Sequence, residues 1–599
     1  MREYLKEIAQ TYTSGRATEQ SYYPALKRFL ERFIGAEITV VPKKTKAGIP
    51  DFLIRRKNRI VGYIEAKEPK TKHLDQVAST EQLKRYRDAF PNLILTNFLE
   101  FILYRDHREI MRVEIAQPAG LELGRLHPQR VEKFEELLQT FFDFSIPSVY
   151  KAKQLALELA RRTRFLRHLI LEELNKNSPI LTNYYKIFRR ELITSSTEEK
   201  FADLYAQTLS YGLFFSRIRA GKNGFSRQLA YRYIPKTLSI LQHLFYLLTG
   251  PEIPESLEWI VDEISEVLAN ADLSQIKKEF HTKTWTEDPV IHFYETFLKE
   301  YNKEERKRLG VYYTPEPVVS YIVRSIHKIL KEKFNKPDGF ADKSVILLDP
   351  AAGTLTFPAM AVRLCYKEFE EKGLKGAFPS LVKDHILKDF YAFELMVAPY
   401  AIGHFKIGMV LEDLGYRMGE EGFRFYLTNA LELKKEPKVG EPHTLPYDLA
   451  EEGKKAEEVK KKVPVLVIFG NPPYSVHSEN KSKFIEELMD DYKEDVRGER
   501  NIQPLSDDYI KFLRFAQWKI ERTGQGIVGM ITNNSYLSGL IHRGMRKKLL
   551  ETFDEIYILN LHGNARIGEQ TPEGGKDENV FDIQQGVGIA LMVKLPEKP

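Results

Sequence analysis

Cysteine is almost absent: Cys365 is the only one in 599 residues. A single thiol makes no disulfide within the chain and no cysteine-rich zinc site, so a reducing cytoplasm is the expected compartment. Long apolar runs are missing too. Nothing approaches the ~18 consecutive apolar residues of a membrane helix, and the opening residues, MREYLKEIAQ, hold no apolar core of signal-peptide type. No Gly-x-x-x-x-Gly-Lys-Ser/Thr phosphate loop occurs, which argues against an ATP-driven motor. Neither an internal repeat nor a long low-complexity tract is visible. Charge of one sign is not in large excess: 90 basic against 84 acidic residues give +6. That balance permits a nucleic-acid partner without requiring one.

What is present suits a large globular protein. The length implies roughly three or four domains, and the 43% hydrophobic content is ordinary for globular protein. Composition and pattern divide the chain at about residues 145 and 290.

In residues 1–145, Tyr23, Leu26, Phe29, Leu30 and Phe33 recur at helical spacing, with Glu19 about one turn ahead of them. Two strands follow, at 51–54 and 60–67, with a polar hairpin turn between them. Strand period 2 sets Glu65 and Lys67 on one face, and Asp51 opens the neighbouring strand. Two carboxylates converging from adjacent strands make an oxygen site for Mg²⁺. A lysine beside such a metal stabilises an attacking hydroxide, which suits phosphodiester hydrolysis. The bland alternative is an exposed Glu–Lys pair on an edge strand. A helix is expected at about 80–90, with Gln82 and Tyr86 four apart on one face. Strands at 93–96 and 101–104 complete the sheet.

Pro50-Asp51, Glu65-Ala66-Lys67 and Gln82…Tyr86 together resemble the PD-(D/E)xK nucleases, in the branch with a downstream Q-x-x-x-Y helix. The resemblance implies an α/β/α nuclease domain. It makes Asp51, Glu65, Lys67 and Gln82 catalytic, Asp51 and Glu65 metal ligands, and Glu19 an additional ligand donated by the first helix.

Residues 146–290 read as helical almost throughout, an all-α connector without evident chemistry. Lys151, Lys153, Arg161, Arg162, Arg164 and Arg167 crowd one segment. Such a run either tracks a phosphate backbone or forms a solvated helix face, and the solvated face is the expectation. Residues 201–217, rich in apolar and aromatic side chains, are expected in a core.

In residues 291–599, strands and helices alternate, which argues for a doubly wound, Rossmann-like parallel sheet. Thr314 is positioned to cap a helix over about 318–331, with Pro315 in its first turn. A short strand at 344–348 runs into Asp349-Pro-Ala351-Ala-Gly353, and a helix follows at 359–371. In this fold the first strand-to-helix turn is the ligand crevice. Asp349 can hold an ammonium group there, and Gly353 lets backbone approach closely. A second strand, 390–393, ends in Glu394, where an acid takes both hydroxyls of a ribose. Five apolar residues, 465–469, form the strand before Gly470-Asn471-Pro472-Pro473-Tyr474. The prolines stiffen that loop and remove two N–H donors. The Asn471 amide oxygen and the Pro472 carbonyl are left to accept from an amino group, beside the aromatic face of Tyr474.

This half resembles the N6-adenine DNA methyltransferases that use S-adenosylmethionine, in the γ arrangement. The resemblance sets Tyr313 and Thr314, with Asp349, Ala351 and Gly353, at the methionine end of the cofactor. Glu394 would take its ribose, Asn429 would lie near its adenine, and Asn471 to Tyr474 would be the catalytic loop. Tyr474 would stack on the flipped adenine, with Phe581 as the second stacking aromatic. The family's glycine two positions after Gly353 is Leu355 here, which leaves that turn's geometry open.

The three parts together resemble Type IIG restriction–modification enzymes and the nuclease-coupler-methyltransferase parts of Type ISP enzymes. The implied protein methylates adenine in a specific duplex DNA sequence and cleaves unmodified DNA with Mg²⁺. The chain is expected to stop at the last strand of the cofactor domain, so a target-recognition domain would be C-terminal or on another subunit. Two alternatives stand beside this reading. One is an adenine methyltransferase with an inactive nuclease-like domain. The other is a non-catalytic DNA-binding subunit of a defence complex.

Overall fold

A computed structural model of the chain describes every residue except 35–36, 41–49, 57–58, 145–151, 192–196, 222, 235–238, 250–252, 274–288, 302–313, 420–421, 434–444, 582 and 597–599. The chain forms two compact units. The first comprises Met1–Lys176 and Pro254–Lys277, the second Asn177–Ile253 and Lys278–Pro599. The helical stretch expected at 146–290 is helical in most of its described residues and is shared between the two units.

The first unit is built on a six-stranded sheet in the order β1-β2-β3-β4-β5-β6. The strands are β1 (Glu37–Val40), β2 (Phe52–Arg56), β3 (Arg59–Ala66), β4 (Asn92–Thr96), β5 (Glu100–Arg105) and β6 (Arg108–Glu114). β2 and β3 form the expected antiparallel hairpin. β3 and β4 run parallel, and the crossover between them carries helix α3 (Glu81–Ala89). Side chains alternate across the pleat and bury both faces. Phe52, Ile54, Ile64 and Phe101 pack with Leu5 and Ile8 of α1 (Arg2–Thr13), Leu26 and Leu30 of α2 (Tyr23–Ile34), and Leu137 and Phe141 of α4 (Val131–Phe142). On the other face Tyr63 meets Phe90 at 4.0 Å between ring centroids. Phe90 meets Phe165 of α5 (Ala152–Asn175) at 5.4 Å.

The solvated basic face expected on this segment forms only in part: Arg164 and Arg167 are half-buried, and Lys151 lies outside the described residues. Arg161 and Arg162 are buried. Arg161 pairs with Asp106 and Glu158. Arg162 pairs with Glu158 and, at 3.0 Å, with the buried Glu263 of the helix Glu255–Ala269. Carboxylates supplied from elsewhere in the unit repay the desolvation of these guanidiniums, so neither arginine offers its charge to a phosphate. Lys153 is exposed.

The second unit holds a seven-stranded sheet in the order β12-β13-β11-β10-β7-β8-β9. Its strands are β7 (Leu347–Asp349), β8 (Phe390–Glu394), β9 (Arg424–Leu427), β10 (Val467–Gly470), β11 (Gly526–Asn533), β12 (Glu555–Asn560) and β13 (Val587–Lys594). β7 to β11 are mutually parallel, and β13 lies antiparallel between β11 and β12. This is the doubly wound sheet expected, with β7 flanked by β8 on one side and β10 on the other. That reversal of strand order opens a crevice at the carboxyl ends of β7 and β10. One face is covered by α6 (Glu316–Lys333), which α7 (Thr356–Glu371) follows in the chain; a Cβ at Gly529 would meet Ile326 Cδ1 of α6 at 2.7 Å and Ile322 Cγ2 at 3.0 Å. On the other, α8 (Lys483–Lys493) and α9 (Asp508–Thr523) pack Ile485, Met489, Ile510 and Leu513 with Val528 and Met530. Of the 201–217 segment expected in a core, residues 201–216 of the helix Glu198–Ala220 are buried and Arg217 is half-buried. Among the described residues no helix is long and apolar enough to cross a membrane.

Candidate functional site

The sequence points to two constellations, one in each unit. In the first, the register that pairs Phe52 with Ile64 sets Asp51 opposite Glu65 on one face of the sheet. Both carboxylates are buried, each with 1% of its surface exposed. Asp51 Oδ2 accepts from the Ala66 N–H at 2.8 Å, which fixes Asp51 against the end of β3. Lys67 Nζ sits on Glu65 Oε1 and balances its charge. From α3, Gln82 Nε2 donates to the Tyr86 hydroxyl at 2.8 Å. Burial first, then the Glu65 carboxylate, hold that phenol far above its usual range. Asp51, Glu65, Lys67, Gln82 and Tyr86 are therefore drawn together, and the Glu–Lys pair is not an exposed edge feature.

Glu19 lies in a short 3₁₀ turn, Glu19–Tyr22, just ahead of α2. Its Oε1 accepts from the Tyr23 hydroxyl at 3.0 Å. Burial and the neighbouring Asp51 and Glu19 push that phenol well up, so Tyr23 stands against both acids. Sequence reasoning used Tyr23 only as an apolar position. Among the described residues, the one trio of His, Cys, Asp or Glu side chains whose ligand atoms all lie within 4.8 Å is His562, Glu569 and Asp577. Glu19, Asp51 and Glu65 are not drawn in that closely.

In the second unit the crevice between β7 and β10 holds most of the expected cofactor and catalytic residues. Asp349 ends β7 and is fully buried. Its Oδ1 accepts from the Ala351 N–H at 3.2 Å, and its Oδ2 has no partner among the described residues. Burial raises this carboxyl well above the usual range. A buried acid oxygen with spare bonding capacity fits an ammonium group. Gly470, at the end of β10, is the neighbour that makes room: a Cβ there would meet Asp349 Oδ1 at 2.8 Å. Gly353 takes a φ of +52°, and a Cβ on it would touch no protein atom within 4 Å, so its outer side is open to a ligand. Its N–H donates to Glu394 Oε2 at 2.8 Å. Glu394 Oε1 accepts from the Leu395 and Met396 N–H groups, both at 2.8 Å. The carboxylate is thus aimed from the end of β8, and burial pushes it up to about 7. Leu355, in the place of the family's glycine, adopts the left-handed backbone at φ +61° with its side chain buried. The turn here uses a left-handed backbone that glycine enters freely, and it bears the strain of a Cβ in it.

At the end of β10, Asn471 is held from two sides. Its Nδ2 donates to Thr314 Oγ1 at 3.1 Å, and its Oδ1 accepts from the Tyr474 hydroxyl at 3.2 Å. The expected helix cap at Thr314 is corrected here. Pro315, with extended ψ of 134°, is the capping position of α6, and the Thr314 hydroxyl serves Asn471 instead. Proline at this point fixes φ, and its carbonyl takes the Val318 and Val319 N–H groups. Pro472 is buried and Pro473 half-buried. Tyr474 is 9% exposed, its ring edge-on to Tyr509 of α9 at 5.7 Å. Asn429 follows β9, and its side chain bonds Asn480 and the Leu431 N–H. Phe581 is buried, with its N–H on Asn579 Oδ1. Tyr313 lies outside the described residues.

The comparisons bear on this second constellation. Residues 286–558 match the family model described as N-6 DNA Methylase. These residues are an N-6 DNA methylase domain. No curated protein matches the chain. Among solved structures, that of DrdV in complex with DNA superposes with a TM-score of 0.55 at 22% identity, over 99% of this chain and 56% of that one. The ATP-dependent Type ISP restriction-modification enzyme LlaBIII bound to DNA gives 0.59 at 24% identity, over 75% and 29%. A nuclease-deletion mutant of the Type ISP enzyme LlaGI, with a DNA substrate mimic, gives 0.56 at 20%, over 78% and 36%. At these identities the likeness is one of fold, and the chain spans about half or less of those structures' lengths.

Asp507, Asp508 and Asn480, which grip the loop after Tyr474, went unread in the sequence. The signal available was Asp507-Asp508 directly ahead of the helical pattern of α9, the usual place for acids that cap a helix.

Proposed function

We propose that the chain methylates adenine N6 in duplex DNA and that its first unit is a Mg²⁺-dependent nuclease, as in a bifunctional restriction–modification enzyme. The observation that carries the methylation reading is Asn471, fixed between Thr314 and Tyr474 where β10 opens onto the β7 crevice. An adenine inside a duplex is out of reach, so the base is flipped out to meet this loop. Tyr474 stacks on the base. Asn471 Oδ1 and the Pro472 carbonyl accept its two amino hydrogens, which holds the nitrogen in plane and raises its electron density for in-line attack. S-adenosylmethionine, when bound, supplies the electrophilic methyl group. Asp349 is suited to hold its ammonium group and Glu394 its ribose hydroxyls.

In the first unit, Asp51 and Glu65 are the residues suited to hold Mg²⁺, which when bound supplies Lewis acidity at a phosphate. Lys67 orients and stabilises the attacking hydroxide, and Gln82 and Tyr86 fix the far wall. Recognition of sequence is assigned to a further domain or subunit that reads base edges.

The test is incubation with S-adenosylmethionine, Mg²⁺ and mixed-sequence duplex DNA, followed by nucleoside analysis and a nicking assay. The reading expects N6-methyladenine, and breaks that disappear with Lys67→Ala. Methyladenine without breaks from wild type would leave a methyltransferase with an inactive nuclease fold. Neither product would overturn both assignments.

A further inference from the structure

The methylation reading leaves one group of residues without a role. Two acids open α9, Asp507 and Asp508, and both are buried, at 4% and 7% exposure. Asp507 Oδ1 accepts from the Ser475 N–H at 2.8 Å, immediately after Tyr474. The Ser475 carbonyl in turn accepts from the Asp508 N–H at 3.2 Å. Asp508 Oδ1 accepts from Ser478 Oγ at 2.6 Å and from Asn480 Nδ2 at 2.9 Å. The other end of the Asn480 amide faces elsewhere: its Oδ1 accepts from Asn429 Nδ2 at 3.0 Å. The buried Lys511 holds the Asn480 carbonyl. One turn of helix thus grips the loop beyond the base-binding tyrosine. A single amide joins that grip to Asn429, 51 residues earlier in the chain.

An amide is the side-chain group that donates and accepts at once in fixed directions. Asn480 spends its donor on one element and its acceptor on another. A loop anchor of purely structural kind needs neither that bridge nor two buried carboxylates, which are costly to desolvate.

We infer that Asn480 and Asp508 are positioning residues that couple the adenine end of the cofactor cleft, at Asn429, to the base-binding loop 471–480. Cofactor settling against Asn429 orders the loop that receives the target base. This rests on the methyltransferase reading above. It adds that the Asn480 amide links the two halves of the site, beside the Ser482 hydroxyl that donates to the Leu431 carbonyl at 2.6 Å.

Hydrogen exchange tests the coupling without any DNA, on the full chain with and without S-adenosylhomocysteine. In wild type, bound S-adenosylhomocysteine slows exchange of the amides in 474–482 by about tenfold, a coupling of ordinary size. Asn480→Asp keeps the acceptor for Asn429, loses the donor to Asp508 and sets two carboxylates face to face. It binds S-adenosylhomocysteine within about threefold of wild type, yet the protection of 474–482 is lost. Should that variant fail to fold, Asp508→Ala removes the acceptor that Asn480 Nδ2 uses, binds S-adenosylhomocysteine like wild type and also loses the protection. Equal protection in wild type and the folded variants overturns the coupling while leaving the methyltransferase reading intact. So does S-adenosylhomocysteine that binds wild type without protecting the loop. Wild type that binds no S-adenosylhomocysteine overturns the methyltransferase reading and this inference with it.

Discussion

Removing the hydroxyl of Tyr474 is the perturbation with the least obvious expected result. The hydroxyl donates to Asn471 Oδ1 at 3.2 Å. That oxygen is one of the two acceptors a target amino group needs, so the ligand-free loop satisfies its own acceptor and an incoming base must displace the donor. A neutral hydrogen bond contributes about 0.5–1.5 kcal/mol net, which converts to roughly a two- to thirteenfold effect. Tyr474→Phe keeps the ring, its edge-on contact with Tyr509 and its stacking face. It is expected to raise kcat/KM for DNA by about threefold, chiefly through KM, at a cost of about 1 kcal/mol in stability for the acceptor left waiting. Tyr474→Ala, which loses stacking worth about 1–3 kcal/mol per base, is expected to lower kcat/KM by ten- to a hundredfold. The assay is transfer of labelled methyl to mixed-sequence duplex under single-turnover and steady-state conditions. A fall of tenfold or more with Tyr474→Phe would refute the reasoning, because the hydroxyl would then serve the reaction and not stand in for the substrate.

Three further predictions follow from the two constellations. Burial pushes the Glu394 carboxyl up to about 7, and only the ionised form offers both oxygens as full acceptors to a pair of ribose hydroxyls. Cofactor affinity is therefore expected to rise about tenfold from pH 6 to pH 8 and to lose most of that slope in Glu394→Gln, as read by calorimetry. The same raised value means the ligand-free fold gives up stability as pH climbs from the ordinary glutamate range through 7. Gly470→Ala drives a Cβ to 2.8 Å from Asp349 Oδ1 and is expected to weaken cofactor binding tenfold or more while melting stays cooperative. Lys67→Ala is expected to abolish Mg²⁺-dependent nicking and leave methyl transfer within about twofold, since the two constellations belong to separate compact units and share no partner residue.

Local chemistry was well legible in the sequence, and distant pairing was not. The apolar run before Asn471 predicted a buried strand, and β10 is one. The strand-period argument set Glu65 and Lys67 together, and the β2–β3 register brings Asp51 opposite them. The alternation after residue 291 predicted a doubly wound sheet, yet nothing local announced that β13 would insert antiparallel between β11 and β12. Thr314 looked like a helix cap because threonine before proline usually is one. Its partner, Asn471, lies 157 residues away, a separation that no periodicity encodes. Within the basic run at 151–167, Arg162 departs from the expected solvated face for the same reason: the acid that takes it inside is Glu263, 101 residues further on. Leu355 shows the reverse case. The sequence departs from the family's glycine, and the backbone still enters the left-handed region that glycine takes freely, with the Leu355 side chain buried.

The central claim is that Asn471 presents the acceptor for an adenine amino group at the mouth of the β7–β10 crevice. The most direct measurement is transfer of labelled methyl from S-adenosylmethionine to duplex DNA by wild type and by Asn471→Ala, with cofactor binding followed in parallel. The account predicts label on adenine N6 with wild type, at least a hundredfold loss in the variant as for other residues that hold the reacting group, and cofactor affinity within a few-fold. Undiminished transfer by Asn471→Ala would contradict it.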